Sequence, residues 1–234
     1  MNRVRNQYCK EASIDNNKSA FTMIELVFVV VVLGILASLA IPRMERDFRQ
    51  EAADNILSAI RYTQHLALMD NKTNPASATW QRSYWSFGTQ ACSDAGGLFY
   101  YVGSDIDMGT NISNNEAAID PENGLPMLGS NAQPCANAVQ AGSSKNIFLS
   151  KQYGINNVIW AACNPGAVQH IAFDHMGRLH RNIRNAGNNY ATYVTAADLA
   201  CTIEFRFIDP AIASLFITIQ PETGYAQIVG QPDS

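Results

Sequence analysis

Several kinds of chemistry are missing from this 234-residue chain. It has no Gly-rich phosphate loop, no nucleotide motif and no spaced Ser/His/Asp set. No CxxC or CxxH pair is present, so a zinc centre has no ligand pattern to build on. Charge is scarce, at 15% of residues, and Lys plus Arg number 16 against 20 Asp plus Glu. A chain with formal charge −4 lacks the positive excess on which general nucleic-acid binding rests. These absences argue against an enzyme and against a nucleic-acid-binding protein.

Charge is scarcest between Phe21 and Ile41, 21 residues whose only ionisable side chain is Glu25. As a helix this run is roughly 31 Å long, about one hydrocarbon core. A lone carboxylate there costs at least about 2.5 kcal/mol, so it needs a partner and a task. The preceding residues, 1–20, are polar, with Arg3, Arg5, Lys10 and Lys18 against Glu11 and Asp15. The apolar run follows directly on a small residue, Ala20. Cleavage between Ala20 and Phe21 would remove the polar leader and keep the hydrophobic helix. An ordinary secretory signal does the reverse. The basic leader stays cytoplasmic, and everything after the helix lies across the membrane.

Lys18 to Pro42, with Phe21-Thr22-Met23-Ile24-Glu25 at its start, resembles the N-terminal signal of type IV prepilins and type II secretion pseudopilins. The resemblance implies that prepilin peptidase cuts after Ala20 and methylates the amine of Phe21. Ala20 stands where glycine is usual in that pattern. It further implies assembly with other pilin-like subunits through the N-terminal helix, on an inner-membrane platform. Glu25 is then the assembly residue, meeting the positive amine of a neighbouring Phe21. Two desolvated opposite charges satisfy each other where each alone is expensive. The expected location is the bacterial inner membrane, single-pass, with the C-terminal domain periplasmic.

Beyond Pro42, which should kink the helix, Met44, Phe48, Ala52, Ile56, Ala59, Ile60, Thr63 and Ala67 form one apolar stripe. This predicts an amphipathic helix ending near Asp70. The pattern then changes to alternation. Strands are expected within 79–88, 98–102, 146–149, 157–161, 169–174, 202–208, 215–220 and 225–229, with turns at 174–177 and 221–224. Residues 104–144, rich in Asn, Gly and Ser, read as a long loop or a set of short elements. The fold class is α+β: a long N-terminal helix packed on a C-terminal antiparallel β domain. The expected organisation is a leader at 1–20, a transmembrane and filament-core helix at 21–42, an amphipathic continuation at 43–72 and a β domain at 73–234.

The helix around Ile60-Arg61-Tyr62-Thr63-Gln64, and the C-terminal pattern Ile171-Ala172-Phe173-Asp174 followed by Thr223-Gly224-Tyr225, are similar more weakly to minor pseudopilins of the GspH/FimT type. Cys9 leaves with the leader. Cys92, Cys135, Cys163 and Cys201 remain as an even set in an oxidising compartment, and of three possible pairings Cys92–Cys135 and Cys163–Cys201 are favoured. His170, His175 and His180 read as solvated turn residues. Arg178, Arg181 and Arg184 form a local basic patch, a candidate DNA contact set against a solvated hairpin face. Asp105, Asp107, Gly109 and Glu116 resemble a calcium loop poorly, because Thr110 holds the sharp-turn position. No cofactor is otherwise expected. The sequence thus points to a structural, non-enzymatic subunit of a type II secretion pseudopilus. The alternative is a minor type IV pilin at a pilus tip, acting in adhesion or DNA uptake.

Overall fold

The computed structural model describes residues 22–109, 111–160, 163, 169–183 and 200–231, with backbone alone over 38–47. It is an α+β protein of two compact units, Met1–Arg43 and Met44–Ser234. Helix α1 runs over Met23–Met69, close to the Asp70 end expected from sequence. The helix passes through Pro42 without a break.

In the second unit, α1 meets two four-stranded antiparallel sheets. The first has the order β2-β1-β4-β5, with β1 Trp85–Ala91, β2 Leu98–Ser104, β4 His170–Phe173 and β5 Leu179–Arg181. The second has the order β3-β6-β7-β8, with β3 Ile155–Ile159, β6 Cys201–Phe207, β7 Leu215–Ile219 and β8 Ala226–Ile228. In β6, Cys201, Ile203, Phe205 and Phe207 are buried while Thr202, Glu204 and Arg206 are not, the alternation of a half-buried strand.

The apolar stripe on α1 supplies much of the core. Ala52, Ile56, Ala59, Ile60, Thr63 and Ala67 are buried, with Ala53 and Leu57 beside them. Phe48 is 45% exposed, so the buried stripe starts one turn later than its spacing suggests. The side chain of Met44 lies outside the description. Thr63 is accommodated because its hydroxyl donates to the Ala59 carbonyl one turn back at 2.7 Å.

The polar flank of α1 holds the sheets from outside the core. The Arg49 guanidinium donates to the carbonyls of Ala213 and Ser214, and Arg61 donates to that of Ala226. Gln64 Nε2 donates to two turn carbonyls, Gly177 O at 2.9 Å and Thr223 O at 2.7 Å. Those turns join β4 to β5 and β7 to β8. Each carries a glycine with positive φ, Gly177 at 80° and Gly224 at 61°.

One expected strand starts late and another is absent. Trp80–Ser83 is a 3-10 turn, and β1 begins only at Trp85. Trp80 and Tyr84, four residues apart, bring their rings to 5.3 Å edge-on, a contact that a turn makes and a strand does not. Residues 146–149 likewise fold as a 3-10 turn over Lys145–Ile147, followed by the short helix α2, Leu149–Tyr153. Ser144 accepts from the Asn146 N–H to cap the turn. Ile147, Phe148 and Leu149 are all fully buried, and a short apolar run of this kind suits either geometry.

The segment from 105 to 144 carries no strand or helix of its own among its described residues. Two isolated bridges, Gly103 to Ala117 and Ile119 to Pro126, tie it to the first sheet and to itself. Backbone bonds such as Ala118 N–H to Val102 O and Ser144 N–H to Pro126 O add to these, and carboxylates accept further backbone N–H groups. Asp94 takes those of Cys135 and Ala136, and Asp120 takes that of Glu122. This is how an irregular segment satisfies its backbone without a ladder.

Candidate functional site

The first turn of α1 holds the residues that the sequence singles out. Thr22 Oγ1 accepts the Glu25 backbone N–H at 3.3 Å, so Thr22 caps the helix and Glu25 is its third residue. This is the Ser/Thr-x-x-Glu spacing of a capping box, in which an acid in the first turn also meets the positive end of the helix dipole. The spacing was available in the sequence as a helix-start signal. Ala20 and Phe21 lie outside the described residues. Met23, Ile24, Leu26, Phe28, Val30, Leu33 and Leu36, spread around the helix, are all more than half exposed. An apolar surface on every side of a helix is suited to lipid or to other helices, not to water. Among the described residues no helix is long and apolar enough to cross a membrane. The sequence's apolar run goes on to Ile41, beyond the last side chain described there, at residue 37.

Both favoured disulfides form. Cys92 and Cys135 have Cα atoms 5.8 Å apart, and Cys163 and Cys201 4.4 Å apart. The first pins the irregular segment to the end of β1, and the second ties residue 163 to the start of β6.

The histidines and arginines of the β4–β5 hairpin are placed differently from a solvated turn. His170 and His180 are buried, and only His175 is on the turn surface. Asp174, itself 1% exposed, holds His180 and Arg178. Its carboxylate accepts from the Met176 and Arg178 backbone N–H groups, from the Arg178 guanidinium, and pairs with His180 Nε2 at 3.2 Å. Burial pushes this carboxyl up, but the His180 and Arg178 contacts outweigh burial and hold it well below the usual carboxylate range. Arg178 is thus committed to an ion pair at 2.8 Å, and Arg181 is buried. Arg184 lies outside the described residues.

In the candidate calcium loop, Asp105, Asp107 and Glu116 bring carboxylate oxygens within 4.8 Å of one another. Glu116, however, spends both oxygens on protein donors. Oε1 accepts the Ile106 and Asp107 N–H groups, and Oε2 the Ser113 N–H and hydroxyl. Asp105 and Asp107 both accept the Gly109 N–H, and Arg82 donates to the Met108 carbonyl. A calcium loop needs that glutamate as a free bidentate ligand, and the donor set here does not fit one. Burial raises the Glu116 carboxyl, but its hydrogen bonds prevail and leave it below its ordinary value.

One of three comparisons with known proteins finds a match, and it falls at the N-terminus. A family model described as the prokaryotic N-terminal methylation motif matches residues 15–41. No curated protein and no solved structure matches the chain. The motif supports placing the chain with the type IV pilin-like and pseudopilin family, as a precursor for a pilus or pseudopilus. It implies processing by prepilin peptidase and assembly with other pilin subunits. It also suggests a membrane anchor and a structural rather than catalytic role.

Proposed function

We propose that the chain is a structural subunit of a type II secretion pseudopilus, of the minor GspH/FimT type. It inserts in the inner membrane with residues 44–234 in the periplasm. Prepilin peptidase cuts it between Ala20 and Phe21 and methylates the new amine, and it joins other pilin-like subunits through the N-terminal helix on the inner-membrane platform. The observation that carries this reading is Glu25, a carboxylate with no side-chain partner among the described residues, in the first turn of a helix apolar on all sides. The Phe21 amine of an adjoining subunit supplies the missing charge and fixes the axial step. No cofactor takes part, calcium included.

Arg178 and Arg181 bear on the alternative, a tip pilin that captures DNA. One is held by Asp174 and the other is buried, which favours the structural role over phosphate contact. The test is Glu25→Val in cells that make the whole apparatus. The variant should insert in the membrane and be cut normally, yet fail to enter filaments. Incorporation at the wild-type level would remove the basis for the pairing.

A further inference from the structure

The sheet pleat divides β1 and β2 into two faces. Phe87 and Tyr100 face α1, where Tyr100 Oη donates to Asn55 Oδ1 at 3.0 Å. Gly88 pairs with both Tyr101 and His170, so those two side chains share the opposite face with Gln90. On that face lies a cleft of about 600 Å³, walled by residues 111–114 and 128–131. This is within the size range of small-molecule sites, about 300–1,000 Å³.

Five carboxamides line it: Gln90, Asn111, Asn114, Asn131 and Gln169. Asn111, Asn114, Asn131 and Gln169 are exposed and Gln90 is half-buried, and none of the five hydrogen-bonds through its side chain to another described residue. The lining contains no Lys, Arg, Asp or Glu, and its aliphatic share is Ile112 and Leu128. Both walls are fixed from behind by buried polar side chains. Glu116 holds Ser113 by its N–H and hydroxyl, at 2.9 Å for the former. Gln140 accepts the Ser130 N–H at 2.6 Å and returns a bond to the Ser130 carbonyl at 2.8 Å. Gly129 lies so close to Phe99 that a Cβ would sit 3.0 Å from its ring, and the Cys92–Cys135 bridge anchors the strand end next to Gln90. The cleft is therefore preorganised, which lowers the ordering cost of binding.

We propose that this cleft binds a neutral oligosaccharide. A carboxamide sets an acceptor oxygen beside an NH₂ donor, the complement of two adjacent hydroxyls that can each give and take a hydrogen bond. A phosphate or sulfate is held best by Lys or Arg, and calcium or magnesium by carboxylates; His170 is the one ionisable side chain in the lining besides Tyr101. An extended peptide needs apolar pockets for its alternate side chains, which two aliphatic residues do not make. The inference stands apart from the filament reading, since every residue lining the cleft lies between 89 and 170 and none is on the N-terminal helix.

The test uses the full chain in lauryldimethylamine oxide micelles, because a glycosidic detergent would compete. Maltotriose, N,N′,N″-triacetylchitotriose and cellotriose are titrated while the side-chain NH₂ resonances are followed by nitrogen-15 NMR. At least one sugar should shift the cleft amides saturably, with a Kd of about 1 mM or tighter. Asn111→Ala with Asn131→Ala should weaken it about tenfold or more. Asn157→Ala, an exposed amide on β3, should leave binding unchanged and shows that the double variant's loss is local. The proposal is overturned if none of the three sugars shifts the amides at 20 mM, or if the double variant binds as the parent does. It is equally overturned if a sulfated heparin trisaccharide or the peptide Ser-Gly-Ser shifts the amides while the neutral sugars are silent.

Discussion

Replacing Gly224 with alanine should destabilise the β domain far more than the same change at Gly154. Both glycines have positive φ, 61° and 66°, so both changes carry the left-handed penalty of about 1–2 kcal/mol. At Gly154, after α2, an added Cβ meets nothing within 4 Å. At Gly224 it would fall inside the contact shell of the Gly177 carbonyl and against Gln64 Nε2. The turns must then separate, and Gln64 loses one or both bonds to Gly177 and Thr223, each worth about 0.5–1.5 kcal/mol. The expected cost is about 1.5–5 kcal/mol for Gly224→Ala against about 1–2 for Gly154→Ala, the excess being the lost bonds. Urea unfolding of the full chain, followed by tryptophan fluorescence, measures both. A third variant, Gln64→Met, should cost about 1–3 kcal/mol and combine with Gly224→Ala less than additively, because the two share the same contacts. If the two alanine variants agree within about 0.5 kcal/mol, or the Gln64 pair is additive, the closely packed turns do not carry the energy assigned to them.

Ala20→Asp should block cutting and methylation, and a mass spectrum showing a normal methylated Phe21 terminus would contradict the assigned site. Cys163→Ser should free one thiol at Cys201 and, with a closed loop of 38 residues' separation, cost about 4 kcal/mol; an unchanged thiol count after denaturation would refute the bridge. Asp174→Asn tests the buried carboxylate. Its folded pKa is depressed, so its stabilisation is full above the ordinary aspartate value near 4 and fades as pH falls through and below it. The gap between parent and variant should therefore be widest near pH 7 and shrink in acid. A gap that stays constant down to pH 2 would show that the charge contributes nothing.

The N-terminal segment was legible because its physics is one-dimensional. A run of 21 residues with one acid, preceded by a polar basic leader, is a property of chain order alone. The amphipathic half of α1 was legible for a similar reason: burial at Ala52, Ile56, Ile60 and Ala67 follows from helical spacing. The strands at Cys201–Phe207 and Leu215–Ile219 showed in their alternation. The residues around Trp80 and Ile147 did not, since a short aromatic or apolar run buried on all sides has no period to read. Arg178 and His180 looked like a wet basic hairpin because nothing local shows that Asp174 would be buried beneath them.

Sequence by itself determined the apolar helix, its single acid, the α+β class and an even set of cysteines that a two-bridge pairing could use. Tertiary structure decided which cysteine met which, where Glu116 and Asp174 spent their charge, and that five amides scattered between Gln90 and Gln169 share one cleft. The division has one cause. Solvation and periodicity act along neighbouring residues, whereas convergence across 79 positions depends on how strands pair and which loops are pinned against them.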